Sequence, residues 1–246
     1  MDTGLWPLLA TAASLGTLHT LAGPDHYLPF IAMSRIGGWS YRKTVGITLL
    51  CGMGHVLSSV ALGALGILGG VRFFRLESIE SARGAIAGWM LLTFGVGYVA
   101  WGLWRALRRR PHTHVHVHED GVVHRHGHVH TDDHAHVHAA PFAQADGGER
   151  RASSMTPWIL FLIFIFGPCE PLIPFLMIPA ATSGGIAQAA LVTSVFSAAT
   201  LLTMAVVVTV GRMGLGAFRS PAFERYGHVL AGMIVLACGV AVTMGM

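Results

Sequence analysis

The sequence predicts an all-α, polytopic membrane protein: about six transmembrane helices forming two inverted three-helix repeats, with the first helix of each repeat broken. Three observations lead there. Of 246 residues, 53% are hydrophobic, only 11% are charged and 31 are glycine, with a mean hydropathy of +0.59, whereas soluble domains carry roughly 25% charged residues. The apolar residues come in blocks of membrane-spanning length, near residues 5–35, 44–71, 85–104, 157–182, 185–211 and 227–246. Finally, Phe74-Arg75, Glu80 and Ala87-Gly88 recur 144 residues later as Phe218-Arg219, Glu224 and Ala231-Gly232, and Gly23-Pro24 recurs at the same offset as Gly167-Pro168. Each half holds three spans, an odd number, so the second half must enter the bilayer upside down relative to the first. An ordinary soluble enzyme and a disordered chain are both excluded by this pattern.

The first stretch is long for one crossing and is interrupted by Gly23-Pro24 and Pro29, so a broken or re-entrant helix is expected there. Residues 4–13 are apolar, but only Asp2 precedes them. Without a positive n-region, no cleavable signal peptide is expected. Spans 44–71 and 85–104 complete the first repeat, residues 1–104. A polar, low-complexity insert, residues 105–156, opens with Arg105, Arg108, Arg109 and Arg110, and residues 157–246 form the second repeat. Lys and Arg concentrate in the loops after spans one, three and five: Arg35, Arg42 and Lys43, then the insert, then Arg212, Arg219 and Arg225. The positive-inside rule therefore predicts a multi-pass protein of the cell's inner or plasma membrane, with a cytoplasmic insert and both termini outside. The net charge of +4 belongs to the loops, and no nucleic-acid partner is expected. Cys51, Cys169 and Cys238 all lie in apolar segments, which gives no extracellular disulfide framework. Cys51 and Cys238 read as packing residues.

On this reading all but two of the twelve carboxylates sit in loops or at the amino terminus. The exceptions, Asp25 and Glu170, fall in the aligned segments Gly23-Pro24-Asp25-His26 and Gly167-Pro168-Cys169-Glu170. An ionised acid at mid-membrane depth costs about 3 kcal/mol on insertion scales, so such residues are functional by default. A bound cation offsets that cost. His19, His26, His55 and Cys169 are the polar neighbours. The breaks supply carbonyl oxygens too, because Pro29, Pro171 and Pro174 free the carbonyls of Asp25, Gly167 and Glu170. His19, Asp25, His26, His55, Cys169 and Glu170 are accordingly the candidate metal ligands, a donor set suited to Ni²⁺, Co²⁺, Zn²⁺ or Fe²⁺ rather than Mg²⁺ or Ca²⁺. Bland alternatives stand beside them. His55, in Gly52-Met53-Gly54-His55, equally suits a helix–helix hydrogen bond, and a buried Cys169 is often a small hydrophobe. His228, beside Tyr226, reads as interfacial. No Lys or Arg is expected in the middle of a span, which argues against an anionic substrate.

Eleven of the fifteen histidines fall in the insert, in alternating runs: His112, His114, His116 and His118; His124, His126, His128 and His130; His134, His136 and His138. Period two in an extended chain places each run's imidazoles on one side. Glu119-Asp120-Gly121 and Thr131-Asp132-Asp133 suit turns between runs, so a metal-bound hairpin array is expected, disordered without metal. This density of histidine is a compositional sign of metal handling, and a pH-responsive linker is its bland counterpart.

The segment His19-Thr20-Leu21-Ala22-Gly23-Pro24-Asp25-His26, followed in the next span by Gly54-His55, resembles the signature of the nickel/cobalt transporter superfamily. It resembles in particular the NicO-type permeases and the related urease accessory membrane proteins, and the likeness extends over both halves. The resemblance implies carriage of Ni²⁺ or Co²⁺, with His19, Asp25 and His26 as essential ligands. Nickel uptake permeases of that superfamily have eight spans and four residues between the first His and the Asp-His pair. Here the spans number about six and the intervening residues five, Thr20 to Pro24. A fainter likeness joins Gly167-Pro168-Cys169-Glu170-Pro171 to the membrane thiol–disulfide conduits of cytochrome c biogenesis. Such a relay needs a partner cysteine, and Asp25 occupies the matching position.

The expected function is transport of a divalent transition metal, Ni²⁺ or Co²⁺ first, through a midplane His/Asp/Glu site. Metal-for-proton exchange drives it on this reading, since imidazole must shed its proton to bind metal. The chain is expected to be no enzyme and to carry no prosthetic group, the metal being its substrate. The bilayer, the ion, and a second copy or a metallochaperone are the expected partners. A thiol–disulfide conduit and a metal-sensing accessory scaffold are the competing readings.

Overall fold

The computed structural model describes residues 5–70, 73–108, 112–117, 123–128, 155–181, 185–216 and 221–245. Among these, eight α-helices follow one another: α1 (Leu5–Ala22), α2 (Leu28–Ile36), α3 (Tyr41–Leu68), α4 (Phe73–Arg108), α5 (Met155–Phe166), α6 (Leu172–Ala181), α7 (Gly185–Gly216) and α8 (Pro221–Thr243). Two short strands, β1 (His112–Val117) and β2 (Val123–His128), lie in the insert. Four helices, α3, α4, α7 and α8, are long and apolar enough to cross a membrane. The other two apolar stretches are each divided between two shorter helices.

Both divisions have the same local cause. A Gly-Pro pair ends α1 at Gly23-Pro24 and α5 at Gly167-Pro168, because proline has no N–H to continue the ladder. The last turn closes identically, with the N–H of Gly23 donating to His19 O and that of Gly167 to Ile163 O, each at 3.0 Å. A single 3₁₀ turn, Pro24–His26, then leads into α2, which ends where Gly38 takes φ +60°. The hydroxyl of Ser40 accepts from the Lys43 N–H at 3.2 Å and caps α3. Gly70, at φ +63°, turns the chain into α4.

Helix α4 corrects three expectations. It begins at Phe73, about three turns before residue 85, so Glu80 and Arg83 are helical rather than in a loop. Their charge depressed the local hydropathy, yet they neutralise each other: Arg83 Nη1 donates to Glu80 Oε1 at 2.8 Å, and Glu80 is fully buried. Glu80 therefore joins the acids inside the helical body, and Arg83 is a cation within a span.

The last helices of the two halves, α4 and α8, pack antiparallel along a glycine seam. A Cβ on Gly95 would lie 2.7 Å from the backbone nitrogen of Leu236, and one on Gly239 equally 2.7 Å from that of Leu92. Gly88 faces Thr243, and Gly232 faces Val99. Glycine every seventh residue lets the two backbones touch. Around this pair α1 packs on α7 and α5 on α3, while α2 lies against α7 and α8 and α6 against α3 and α4. Apolar side chains such as Leu65, Trp89, Leu202 and Val210 cover the outside, a surface that calls for lipid. Cys51 and Cys238 are free and buried in the core with Phe30, Met33 and Phe164, as packing residues should be.

In the insert β1 and β2 pair antiparallel, with His112 opposite His128, His114 opposite His126 and His116 opposite His124. His118, His130, His134, His136 and His138 lie outside the described residues.

A candidate metal centre at the first helix break

Three histidines from three elements converge at the break. His19 ends α1, His26 closes the 3₁₀ turn and His55 lies midway along α3. One ring nitrogen from each lies within 4.8 Å of the others. The rings of His19 and His26 meet edge-on at 4.8 Å between centroids, and those of His26 and His55 at 5.1 Å. Nitrogens sharing a tetrahedral ion at bond lengths near 2.05 Å sit roughly 3.3 Å apart, so a closure of about 1.5 Å in the longest separation makes this trio a ligand set.

The surroundings decide which nitrogen of His26 is available. Its Nδ1 lies 3.1 Å from Gly23 O and 3.3 Å from Asp25 Oδ1. Both are acceptors, so Nδ1 carries the proton and the lone pair belongs to Nε2. Among the described residues, His26 Nε2 and both ring nitrogens of His55 are buried without a hydrogen-bond partner. A buried polar atom left unpaired costs about 1–3 kcal/mol, and two adjacent imidazoles in that condition call for a ligand. A void of about 20 Å³, enough for a single water-sized species, adjoins His55 between Asp25, Phe164 and Gly167, while His19 and His26 line a separate cavity.

The remaining expected ligands lie around this trio. Asp25 holds His26 by its far nitrogen, the carboxylate–histidine pairing that orients metal-bound imidazoles. Cys169 Sγ is 3.9 Å from His19 Nε2. Glu170 is exposed and stands at the rim of a cavity of about 410 Å³ whose wall includes His19, Asp25 and His26. Asp25 and Glu170 thus share a cavity, one beside the trio and the other at the rim. Two of the freed carbonyls are taken by the protein: Gly167 O faces Arg83 Nη2 at 3.5 Å, and Glu170 O accepts from the Ile173 N–H at 3.3 Å. His228 bonds Tyr98 Oη at 3.0 Å and meets Trp101 edge-on, well along α4 from the trio.

Sequence reasoning missed Arg83. It donates to Glu80 Oε1, to the hydroxyls of Ser58 (2.6 Å) and Ser59 (3.3 Å) and to Ile165 O (2.7 Å). The available signal was Glu80 and Arg83 at i,i+3, a spacing at which helical charges pair.

The trio has unequal access from the two faces. The 410 Å³ cavity runs from Trp89, midway along α4, past Ser81 in its first half to Gly245 beyond the end of α8, on the side away from the insert. On the insert face a vestibule of about 910 Å³ is lined by the ends of α2 and α4 and the starts of α5 and α8, including Trp39, Arg105, Thr156 and His228. Between trio and vestibule, Phe30 and Phe164 meet at 4.8 Å in the buried core, and Phe164 also contacts the rings of His26 and His55.

No protein-family model, curated protein or solved structure gives a significant match to this chain.

Proposed function

We propose that this chain carries a divalent transition-metal cation across a membrane, binding it at His19, His26 and His55. The observation that carries this reading is the trio itself, three convergent imidazoles, two of them with unpaired buried nitrogens, at a break in a membrane helix. Neutral nitrogen donors select Ni²⁺, Co²⁺ or Zn²⁺ over Mg²⁺ or Ca²⁺, and the likeness of the His19–His26 segment to nickel/cobalt permeases favours the first two. Asp25 acts through His26, and binding displaces protons from the imidazoles.

The inverted-repeat plan is part of this proposal. Gly95 meets Leu236 while Gly239 meets Leu92, and Gly88 meets Thr243 while Gly232 meets Val99. Each contact is the other with partners exchanged at the 144-residue offset, the signature of a two-fold interface. With α1 on α7 and α5 on α3, the halves can rock about that axis and expose a central site to either face. The insert, cytoplasmic by the charge rule, supplies a histidine-rich store of metal beside the vestibule.

Metal uptake into proteoliposomes, with Ni²⁺, Co²⁺, Zn²⁺ and Fe²⁺ in competition, tests the reading against His55→Ala. Flux in the wild type and none in the variant is the expected result. Binding without flux would instead identify an accessory scaffold or sensor.

A further inference from the structure

At the first break the carbonyl that follows α1, Gly23 O, faces the His26 ring. Its counterpart 144 residues on, Gly167 O, faces the guanidinium of Arg83. The positions matching His19, His26 and His55 at that offset are Ile163, Glu170 and Ala199, which cannot form an imidazole trio. The second break therefore has no equivalent metal centre, and a side-chain cation stands at its helix C-terminus, where the dipole and the open carbonyls favour positive charge.

Arg83 is also tied to His55 along two routes. Its Nη2 donates to Ser58 Oγ at 2.6 Å, and that hydroxyl donates to the backbone carbonyl of His55 at 2.8 Å. The same nitrogen bonds Ile165 O and Gly167 O, which fixes the backbone against which the His55 ring lies. A Cβ on Gly167 would come within 2.9 Å of His55 Nδ1. His55 is thus held from its own helix and across the gap to α5 by one side chain. Guanidinium suits this task because its planar fork serves several acceptors at once. Glu80, fully buried, balances its charge.

We propose that Arg83 is the positioning residue of the metal centre: a resident cation at the second break that locks α3 to the end of α5 and so presents His55 to an ion held by His19 and His26. The inference rests on the metal reading of the trio and adds that the chain binds one ion at its centre rather than a symmetric pair.

The test uses Co²⁺ as probe, following affinity and the visible absorption that reports its ligands, on full-length protein with the insert histidines replaced by serine. Variants are Arg83→Lys, which keeps the charge and loses the fork, and the double variant Glu80→Gln with Arg83→Gln, which removes both charges and leaves no unpaired acid. Both should bind Co²⁺ about 10- to 100-fold more weakly, the usual effect of losing an outer partner of a metal ligand, with the visible absorption of the bound ion shifted from that of the parent. A double variant with wild-type affinity and spectrum would overturn the proposal, since Arg83 would then serve only to neutralise Glu80. If the charge variants do not fold, Ser58→Ala carries the test, because it cuts the relay to His55 and keeps the ion pair; unchanged affinity there overturns it equally. Absence of Co²⁺ binding by the parent protein would refute the metal centre itself, a result distinct from either.

Discussion

At the scale of single residues, the trio and its support separate by the atoms they would offer an ion. His26 and His55 offer unpaired nitrogens, whereas Asp25 reaches the site through His26 Nδ1. Replacing a ligand should abolish central binding, while Asp25→Asn, which keeps an acceptor oxygen beside Nδ1, should weaken it by about 10- to 100-fold. Calorimetric titration with Co²⁺ separates the two, and equal loss in both would make Asp25 a direct ligand. Protons compete for the same nitrogens. Affinity should therefore fall once the pH is low enough to protonate the imidazoles, by up to about tenfold per pH unit for each histidine engaged. The sequence made His19, Asp25, His26 and His55 legible because imidazole and carboxylate stand out in apolar spans. It did not reveal that Asp25 and the trio stand on opposite sides of one ring, which follows from the turn that Pro24 imposes.

Among elements, the α4–α8 seam carries the clearest energetic prediction. Gly95→Val would drive a branched side chain into the Leu236 backbone, where nothing flexible can yield. Overpacking of that kind costs about 1–3 kcal/mol or more, so the variant should lose thermal stability in detergent. Gly97→Ala, with nothing within 4 Å of its Cβ, should not. Equal melting temperatures would show that the helices do not pack closely. The broken first helices were legible because Gly-Pro pairs interrupt both. The true start of α4 was not, because a windowed average counts Glu80 and Arg83 as two charges when the fold joins them as one neutral pair. In the insert, the alternation of histidine anticipated strands, and the register opposes three histidine pairs across the hairpin. Deleting residues 112–138 should alter apparent affinity for transport without abolishing it, because the central trio lies outside the insert. Complete loss of flux would make the hairpin an obligatory station.

At the scale of the whole molecule, the two faces differ at the seal. On the insert face Phe30 and Phe164 pack in the buried cluster that includes Met33, a residue of the vestibule wall. The positions 144 residues from that pair are Pro174 and Thr20, which cannot build an aromatic seal, and the face away from the insert holds the cavity that reaches His19 and His26. The two faces thus differ in the residues that line them, and the difference is testable by labelling. A cysteine at Ser81, in the cavity wall, should react with an impermeant thiol reagent added on the face away from the insert, and one at Thr93, in the vestibule, only with reagent added on the insert face. Saturating metal should slow the first and leave the second, or speed it if the halves rock. Phe164→Ala removes the ring that touches Phe30, His26 and His55 together. It should let metal leak through proteoliposomes down its gradient at rates above those of the parent, with central affinity reduced less than by loss of His55. A variant as tight as the parent would show that the barrier lies elsewhere along α2, and the inequality between the two faces would then need another cause.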